Sequence, residues 1–192
     1  MNLLNFIKRI LARFINIPRK IRQVYYICWN YFMLWANGVE IGKNMKIYNR
    51  IYLTKHPTAQ VIIGNNWVFI SGDGFNPLCR NLRGCIYAGE GAKIKIGNDV
   101  GISSACIRAK QYIKIGNNVN ISQFLSIGTN KRTPARIGNN VYIGPNVCIV
   151  EDVNIGNNSC IAAGAVVVKD VPENTTVAGC PAKVLGENKH SE

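Results

Sequence analysis

The feature that most constrains this chain is an aliphatic residue that recurs every six positions near its C-terminal end. Self-similarity at a fixed period is typical of solenoids, in which each repeat packs only against its neighbours. Earlier in the chain the same kind of position is marked by an aliphatic–Gly pair, beginning at Ile41-Gly42. The uninterrupted six-residue series is Ile137, Ile143, Ile149, Ile155, Ile161 and Val167.

A six-residue period predicts short strands that each end in a turn. Three repeats, about eighteen residues, close one triangular coil with the aliphatic residue pointing inward. Neighbouring coils then pair as parallel strands about 4.8 Å apart and enclose a dry aliphatic core. The turns read Gly-Asn-Asn, and both residue types accept the positive φ that tight turns often need. The predicted fold class is therefore all-β, a parallel β-helix.

Two insertions interrupt the repeats. The spacing between successive aliphatic–Gly pairs exceeds eighteen residues most strongly around residues 71–88, and a smaller excess falls within residues 129–136. Loops that interrupt a regular solenoid are common places for binding or chemistry. We expect the functional site near such a loop.

The N-terminal segment differs in composition from the repeats. Residues 1–36 combine aromatic, aliphatic and basic residues, and the first acidic residue of the chain is Glu40. Apolar residues at helical spacing predict a basic amphipathic helix that Pro18 interrupts, followed by a second helix from Val24 to Ala36. The second run is too short and, at Asn30, too polar for a membrane span, which needs about 20 apolar residues.

Two roles remain open for this segment. It can lie on an anionic membrane surface, or it can cap the open end of the β-helix, which must be covered to prevent pairing with another molecule. The predicted organisation is a helical segment at 1–38, a β-helix at 39–185 and a polar tail at 186–192.

The charge balance points to an anionic partner. Lys and Arg number 23 against 10 Asp and Glu, a formal net charge of +13. A phosphorylated cofactor, a lipid head group or a nucleic acid would fit such a balance. No pattern of stacking aromatic residues or recognition helix supports nucleic-acid binding, so we expect none.

The cysteines predict neither a disulfide framework nor a metal site. The chain has seven, an odd number, with no C-x-x-C pair and no zinc-type spacing. Cys148 and Cys160 are expected to be reduced and buried in the core of the repeats. Because no cleavable signal peptide is apparent, we expect a cytoplasmic protein.

Residues 137–185 resemble the closing coils of the hexapeptide-repeat acyltransferases. The segments AGAVVVKDVP at 163–172 and AGCPAKV at 178–184 are similar to two signatures of that family. Upstream, residues 96–119 resemble the polysaccharide and sugar O-acetyltransferase branch, which includes the galactoside and maltose acetyltransferases. The resemblance covers residues 41–185 and implies a left-handed parallel β-helix.

This resemblance also implies an activity. Members transfer an acetyl group from acetyl-CoA, which lies in a groove between neighbouring subunits of a homotrimer, and a histidine acts as general base on the acceptor hydroxyl. We therefore expect an O-acetyltransferase that acts on a sugar or glycan precursor, with no metal, at the inner face of the membrane.

Four residues correspond to coenzyme A contacts in the family. Pro145 and Ala163 match corners that line the thiol end of the cofactor, and Lys169 and Lys183 match basic residues that contact its phosphates. Val168 replaces a family threonine, which removes one hydroxyl contact.

The family's catalytic histidine is missing from both positions where it is expected. Thr133 occupies the position used by the sugar acetyltransferases, and Ser103 corresponds approximately to the position used by the serine acetyltransferases. His56 is a weak candidate several coils away, and His190 lies in the polar tail. The alternative is a noncatalytic trimeric scaffold or regulatory subunit that keeps the β-helix.

Overall fold

A computed structural model describes residues 3–72, 83–123, 125–128, 134–150 and 153–187 of the chain. Thr133 and His190, which the sequence analysis considered in place of the catalytic histidine, lie outside these ranges. Parts of both insertions also lie outside them. Within them the chain forms one helix, α1 (Leu3–Ala36), followed by short strands. The strands are β1 (Glu40–Ile41), β2 (Lys46–Tyr48), β3 (Tyr52–Lys55), β4 (Gln60–Ile63), β5 (Val68–Ile70), β6 (Cys85–Ala88), β7 (Lys93–Ile96), β8 (Gly101–Ser103), β9 (Cys106–Ala109), β10 (Tyr112–Ile115), β11 (Asn120–Ile121), β12 (Ser126–Gly128), β13 (Ala135–Ile137), β14 (Tyr142–Ile143), β15 (Cys148–Ile149), β16 (Asn154–Ile155), β17 (Cys160–Ile161), β18 (Val166–Val167), β19 (Thr175–Ala178) and β20 (Lys183–Glu187).

The strands form three sheets, to which each coil contributes one strand. The first sheet has the order β1-β4-β7-β10-β13-β16, the second β2-β5-β8-β11-β14-β17-β19-β20, and the third β3-β6-β9-β12-β15-β18. Neighbouring strands are parallel, except that β20 runs antiparallel to β19. Three corners connect the sheets: the first corner joins the first sheet to the second, the second corner joins the second to the third, and the third corner returns to the first sheet.

The core is the column of aliphatic side chains that the six-residue period predicts. In the first sheet Ile63, Ile96, Ile115, Ile137 and Ile155 stand in register on successive strands, each at most 3% exposed. Alternate residues of the same strands point outward and are mostly exposed. The predicted β-helix is confirmed.

Gly-Asn-Asn turns form the first corner. A Cβ on Gly64 would lie 2.5 Å from the carbonyl oxygen of Gly97, so only glycine fits this close approach of neighbouring coils. The side chain of the first asparagine accepts a backbone hydrogen bond from the coil before it, as Asn157 Oδ1 does from the Asn139 N–H at 2.8 Å. The second asparagine takes a positive φ, 56° at Asn140. The corner therefore favours glycine because neighbouring coils approach closely there, and asparagine because the turn needs a positive φ.

The prediction that Pro18 separates two helices is wrong, because α1 continues through it from Leu3 to Ala36. The proline ring fixes φ near the helical value and removes only one backbone N–H. Pro18 is exposed, so water can reach the carbonyl that loses its intrahelical partner. Within the described part of the chain, no helix combines the length and the apolar character needed to cross a bilayer.

The C-terminal half of α1 covers the first coil. Leu34 and Asn30 are fully buried, and Tyr31 and Met33 pack against the hydrophobic core. The Asn30 side-chain amide donates to the backbone carbonyl of Asn49 at 2.8 Å. This half of the helix thus closes the N-terminal end of the core, as the capping alternative predicts.

The cysteine predictions need two corrections. Cys85 and Cys106 form a disulfide with Cα atoms 4.6 Å apart, because the register places them opposite each other on β6 and β9. Cys148 and Cys160 are free but only half-buried, since the inward positions of their strands belong to isoleucines. Burial raises the pKa of the Cys160 thiol.

Candidate functional site

The predicted cofactor residues Pro145 and Ala163 lie at the second corner on adjacent coils. Pro145 is half-buried and Ala163 is exposed. The Gly164 N–H donates to the Pro145 carbonyl at 2.8 Å, which ties the two turns together. A Cβ on Gly144 would lie 2.7 Å from the Ala163 nitrogen, so the two turns stack in close contact.

This corner presents backbone rather than reactive side chains. Gly164 takes φ of 70° and has open space where a Cβ would stand. Within the described residues the Ala163 N–H has no acceptor, whereas the Gly164 and Ala162 amides are both used between coils. A surface of small residues with an available amide can accept a narrow ligand arm and donate to a carbonyl oxygen on it.

The last coil places Lys169 and Lys183 close to β18. Residues 179–182 pass beside that strand: the Gly179 carbonyl accepts from the Val166 N–H at 2.9 Å, and the Ala182 N–H donates to the Val166 carbonyl at 2.8 Å. Lys183 follows directly, and Lys169 lies three residues beyond Val166 in the chain. Both lysines are exposed, so their ammonium groups are available to an anionic ligand.

His56, the one histidine candidate among the described residues, does not lie at this corner. Ser103 is half-buried at the end of β8, while Thr133 and His190 lie outside the described residues. His56 is exposed in a third-corner turn, where its Nδ1 lies 2.8 Å from the Thr58 hydroxyl. It follows β3, the edge strand of the third sheet, four strands from β15. That separation is about 19 Å along the helix axis.

A cleft of about 510 Å³ lies elsewhere, on the outer face of the first sheet and its junction with the first corner. Its charged lining residues are Lys114, Arg136 and Asp170. Our sequence predictions did not include it, although the outward Lys or Arg that precedes an Ile-Gly pair in three successive repeats was a readable signal. The described residues contain no group of three or more His, Cys, Asp or Glu able to hold a metal ion.

Residues 134–169 match the family model "Bacterial transferase hexapeptide (six repeats)". This stretch of the chain carries hexapeptide repeats of the bacterial transferase type. This confirms the recognition made from the signature segments, and the matched range includes both Pro145 and Ala163.

Known relatives of this hexapeptide-repeat chain include acetyltransferases. Galactoside O-acetyltransferase of Escherichia coli is 34% identical over 117 residues, which are 53% of this chain and 58% of the relative. Serine acetyltransferase 3, mitochondrial, of Arabidopsis thaliana is 40% identical over 100 residues, 50% of this chain and 25% of the relative. The matches thus span less than two thirds of either relative's length.

A solved structure has the same fold. It is a mutant of an N-acyltransferase from Bacillus cereus in complex with dTDP-4-amino-4,6-dideoxyglucose and coenzyme A. The superposition has a TM-score of 0.57 at 14% identity and covers 83% of this chain and 90% of that one. The fold is the left-handed parallel β-helix, as the resemblance implied.

Proposed function

We propose that this protein transfers an acetyl group from acetyl-CoA to a hydroxyl of a sugar or glycan precursor. The observation that carries the proposal is the stacked second corner at Pro145 and Ala163, inside the hexapeptide match and beside the signature segments of the last coil. The acetyltransferase relatives support the reaction class, and the Escherichia coli relative, by its name, acts on galactosides.

Different residues of the last coils bind different parts of the cofactor. The pantetheine arm lies along the small residues at Pro145 and Ala163, and the Ala163 N–H can donate to the thioester oxygen as negative charge develops on it. Lys169 and Lys183 bind the cofactor phosphates by charge-assisted hydrogen bonds. Because both lysines are exposed and screened by water, each contributes only about 1 kcal/mol.

The described residues at the second corner include no histidine that could act as the general base. A hydroxyl is a poor nucleophile at neutral pH and attacks a thioester more readily when a base takes its proton. Among the described residues His56 is the one histidine, and it is far from the second corner. Without a protein base, positioning and oxyanion stabilisation remain, and turnover falls by about 10²- to 10⁴-fold. A phosphate or carboxylate on the acceptor can also serve as the base.

The lack of a histidine near the second corner among the described residues favours a second candidate function, a noncatalytic trimeric scaffold or regulatory subunit. Such a protein binds coenzyme A at the second corner but releases no product. Cofactor binding without acetyl transfer to any hydroxyl acceptor would distinguish it from a slow enzyme.

We also propose a homotrimer whose cofactor grooves lie between neighbouring subunits, as the resemblance implies. Cyclic symmetry repeats the same groove three times when the β-helices stand side by side. Light scattering at micromolar concentration should give the mass of a trimer, and a monomer would contradict the assembly.

A peripheral contact with the inner face of the membrane is part of the same proposal. Opposite its buried face, the part of α1 whose side chains the structure describes presents seven large, exposed apolar side chains. No acidic residue occurs between positions 1 and 39. Exposed Lys20 and Arg22 flank this stripe and suit anionic head groups. At one edge of the stripe Tyr25 and Trp29 also contact Arg50 of the first coil, whereas the other stripe residues lie on a face of the helix that the cap does not use. The membrane stripe is Ile17, Ile21, Val24, Tyr25, Trp29, Phe32 and Trp35.

Release of the coenzyme A thiol from acetyl-CoA tests the function. With the purified chain and a panel of sugar hydroxyl acceptors, we expect release that depends on acceptor and saturates with acetyl-CoA. Gly164→Val, which forces a β-branched side chain into a positive φ at the second corner, should reduce both release and cofactor binding. Gly91→Val, at φ of 64° in a third-corner turn, is the matched control for backbone strain alone.

A further inference from the structure

The outer face of the first sheet carries three cations in register. Lys95, Lys114 and Arg136 occupy equivalent outward positions on β7, β10 and β13, where Lys114 pairs in register with both of the others. All three side chains are exposed. We call this set the basic ladder.

No acidic side chain pairs directly with the basic ladder within the described residues. None of its three side chains forms an ion pair or hydrogen bond there. The same column continues to Ile62 and then Glu40 in one direction, and to Asn154 in the other. Like charges directly opposite on neighbouring strands repel each other, so the ladder is electrostatically unfavourable until an anion binds.

The 510 Å³ cleft gives that anion a place. Lys114 and Arg136 line it, together with turns of the first corner. Two backbone amides of those turns are already used, because the Gly138 N–H donates to the Ile155 carbonyl and the Asn139 N–H to the Asn157 side chain, each at 2.8 Å. Lys114 and Arg136 therefore supply the positive charge of this cleft, and Lys95 lies one strand beyond its lining.

Asp170 sets the far boundary of the site. Its carboxylate accepts hydrogen bonds from the backbone and side chain of Asn154, at 2.8 Å and 3.2 Å. An anion is repelled from this end of the cleft and attracted toward the ladder. The negative charge at one end and the neutral Ile62 at the other confine the ligand to three strands.

Spacing selects the class of anion. Adjacent ladder positions are about 4.8 Å apart, so Lys95 and Arg136 are separated by about 9.6 Å along the sheet. A single phosphate reaches two neighbouring cations, whereas a diphosphate offers a second phosphate for the third, and the Arg136 guanidinium can bind phosphate oxygens in a bidentate manner. We propose that the basic ladder binds the diphosphate group of a small-molecule ligand.

The diphosphate site is distinct from the proposed cofactor site. The second corner joins the second and third sheets, whereas the ladder lies on the first sheet, on the opposite side of the triangular β-helix. The inference therefore does not depend on acetyl transfer. A free diphosphate and a nucleoside diphosphate share the chemistry that the ladder recognises.

Calorimetric titration of the full chain with inorganic pyrophosphate, and separately with uridine diphosphate, tests the site. We expect both to bind, more tightly than inorganic phosphate, and tighter binding of uridine diphosphate would identify a nucleotide ligand. The triple variant Lys95→Gln, Lys114→Gln, Arg136→Gln should weaken binding at least about tenfold. Pyrophosphate should also raise the melting temperature of the parent but not of this variant.

The control removes the same number of charges elsewhere. The variant Lys43→Gln, Lys46→Gln, Lys55→Gln changes lysines at the first corner and on β2 and β3 and should retain pyrophosphate affinity. If both triple variants lost the same amount of pyrophosphate affinity, net charge alone would explain the binding and the proposal would be overturned. Absence of pyrophosphate binding at millimolar concentration would overturn it, whether or not the chain binds anionic vesicles through α1. Loss of coenzyme A affinity in the ladder variant would assign the cations to the cofactor site instead.

Discussion

The side-chain amide of Asn30 on α1 donates a 2.8 Å hydrogen bond to the backbone carbonyl of Asn49 in the first coil. Asn30 is fully buried and Asn49 is 3% exposed, so this bond joins the helix to the β-helix inside the cap. Asn30→Ala removes the bond from a buried carbonyl and should lower the free energy of unfolding by about 1–3 kcal/mol. Urea unfolding measures the change. Phe32→Ala on the opposite, exposed face should change it by less than about 0.5 kcal/mol, and equal effects of the two substitutions would contradict the capping role.

The exposed stripe of α1 predicts vesicle binding. Val24 and Phe32 are 61% and 60% exposed, and insertion of a large apolar side chain into an apolar phase is worth about 1.5–3 kcal/mol. The double substitution Val24→Gln, Phe32→Gln should therefore weaken partitioning onto anionic vesicles at least about tenfold. Vesicle co-sedimentation measures this, and added salt should weaken binding of the parent. Tyr142→Gln, at an exposed aromatic on β14, serves as control. Undiminished partitioning of the double variant would remove the membrane proposal.

Lys169 and Lys183 should contribute separately to cofactor affinity. Each alanine substitution deletes one charge-assisted phosphate contact at an exposed site, and the expected loss is about 1 kcal/mol, or roughly fivefold in Kd. Calorimetric titration with coenzyme A gives the values. Lys55→Ala on β3 should leave the affinity unchanged. If neither Lys169→Ala nor Lys183→Ala has an effect, the proposed placement of the phosphates is wrong.

His56→Ala should leave acetyl transfer within a few-fold of the parent. The residue follows the edge strand β3, and its ring interacts with Thr58 in its own turn. In a trimer of parallel subunits the His56 of each neighbour stands at the same height, so assembly does not bring it nearer. Steady-state kinetics test this. A loss of about 100-fold or more, with the trimer and cofactor binding intact, would make His56 catalytic and move the active site.

The six-residue period was sufficient to predict the core, because inward positions such as Ile137 and Ile155 follow directly from triangular coils. Register was harder to predict, since the insertions change the spacing between coils. Cys85 and Cys106 are 21 residues apart in sequence yet directly opposite in the structure, and the ladder partners Lys114 and Arg136 are separated by a similar insertion. These pairings depend on how much chain each loop consumes, which the sequence does not specify.

The N-terminal helix was predicted wrongly for a different reason. A local rule predicted a break at Pro18, but one lost hydrogen bond in an exposed turn does not outweigh the continuous α1 conformation. For the candidate site, the resemblance predicted that Pro145 and Ala163 lie at equivalent corners of adjacent coils, as they do in the structure. Their contact with the cofactor stays a prediction. No motif in the sequence pointed to the general base. Ser103 and Thr133 drew attention only because they stand where the family has its histidine.

Direct detection of an acetylated product tests the central claim. The purified chain is incubated with isotope-labelled acetyl-CoA and sugar hydroxyl acceptors, and the acceptors are examined by mass spectrometry alongside an acceptor-free control. Our account predicts that the labelled acetyl group appears as an ester on at least one sugar, at a rate that falls in the Gly164→Val variant. Tight coenzyme A binding by an intact trimer, with no labelled ester on any acceptor, would contradict an acetyltransferase and establish the noncatalytic alternative.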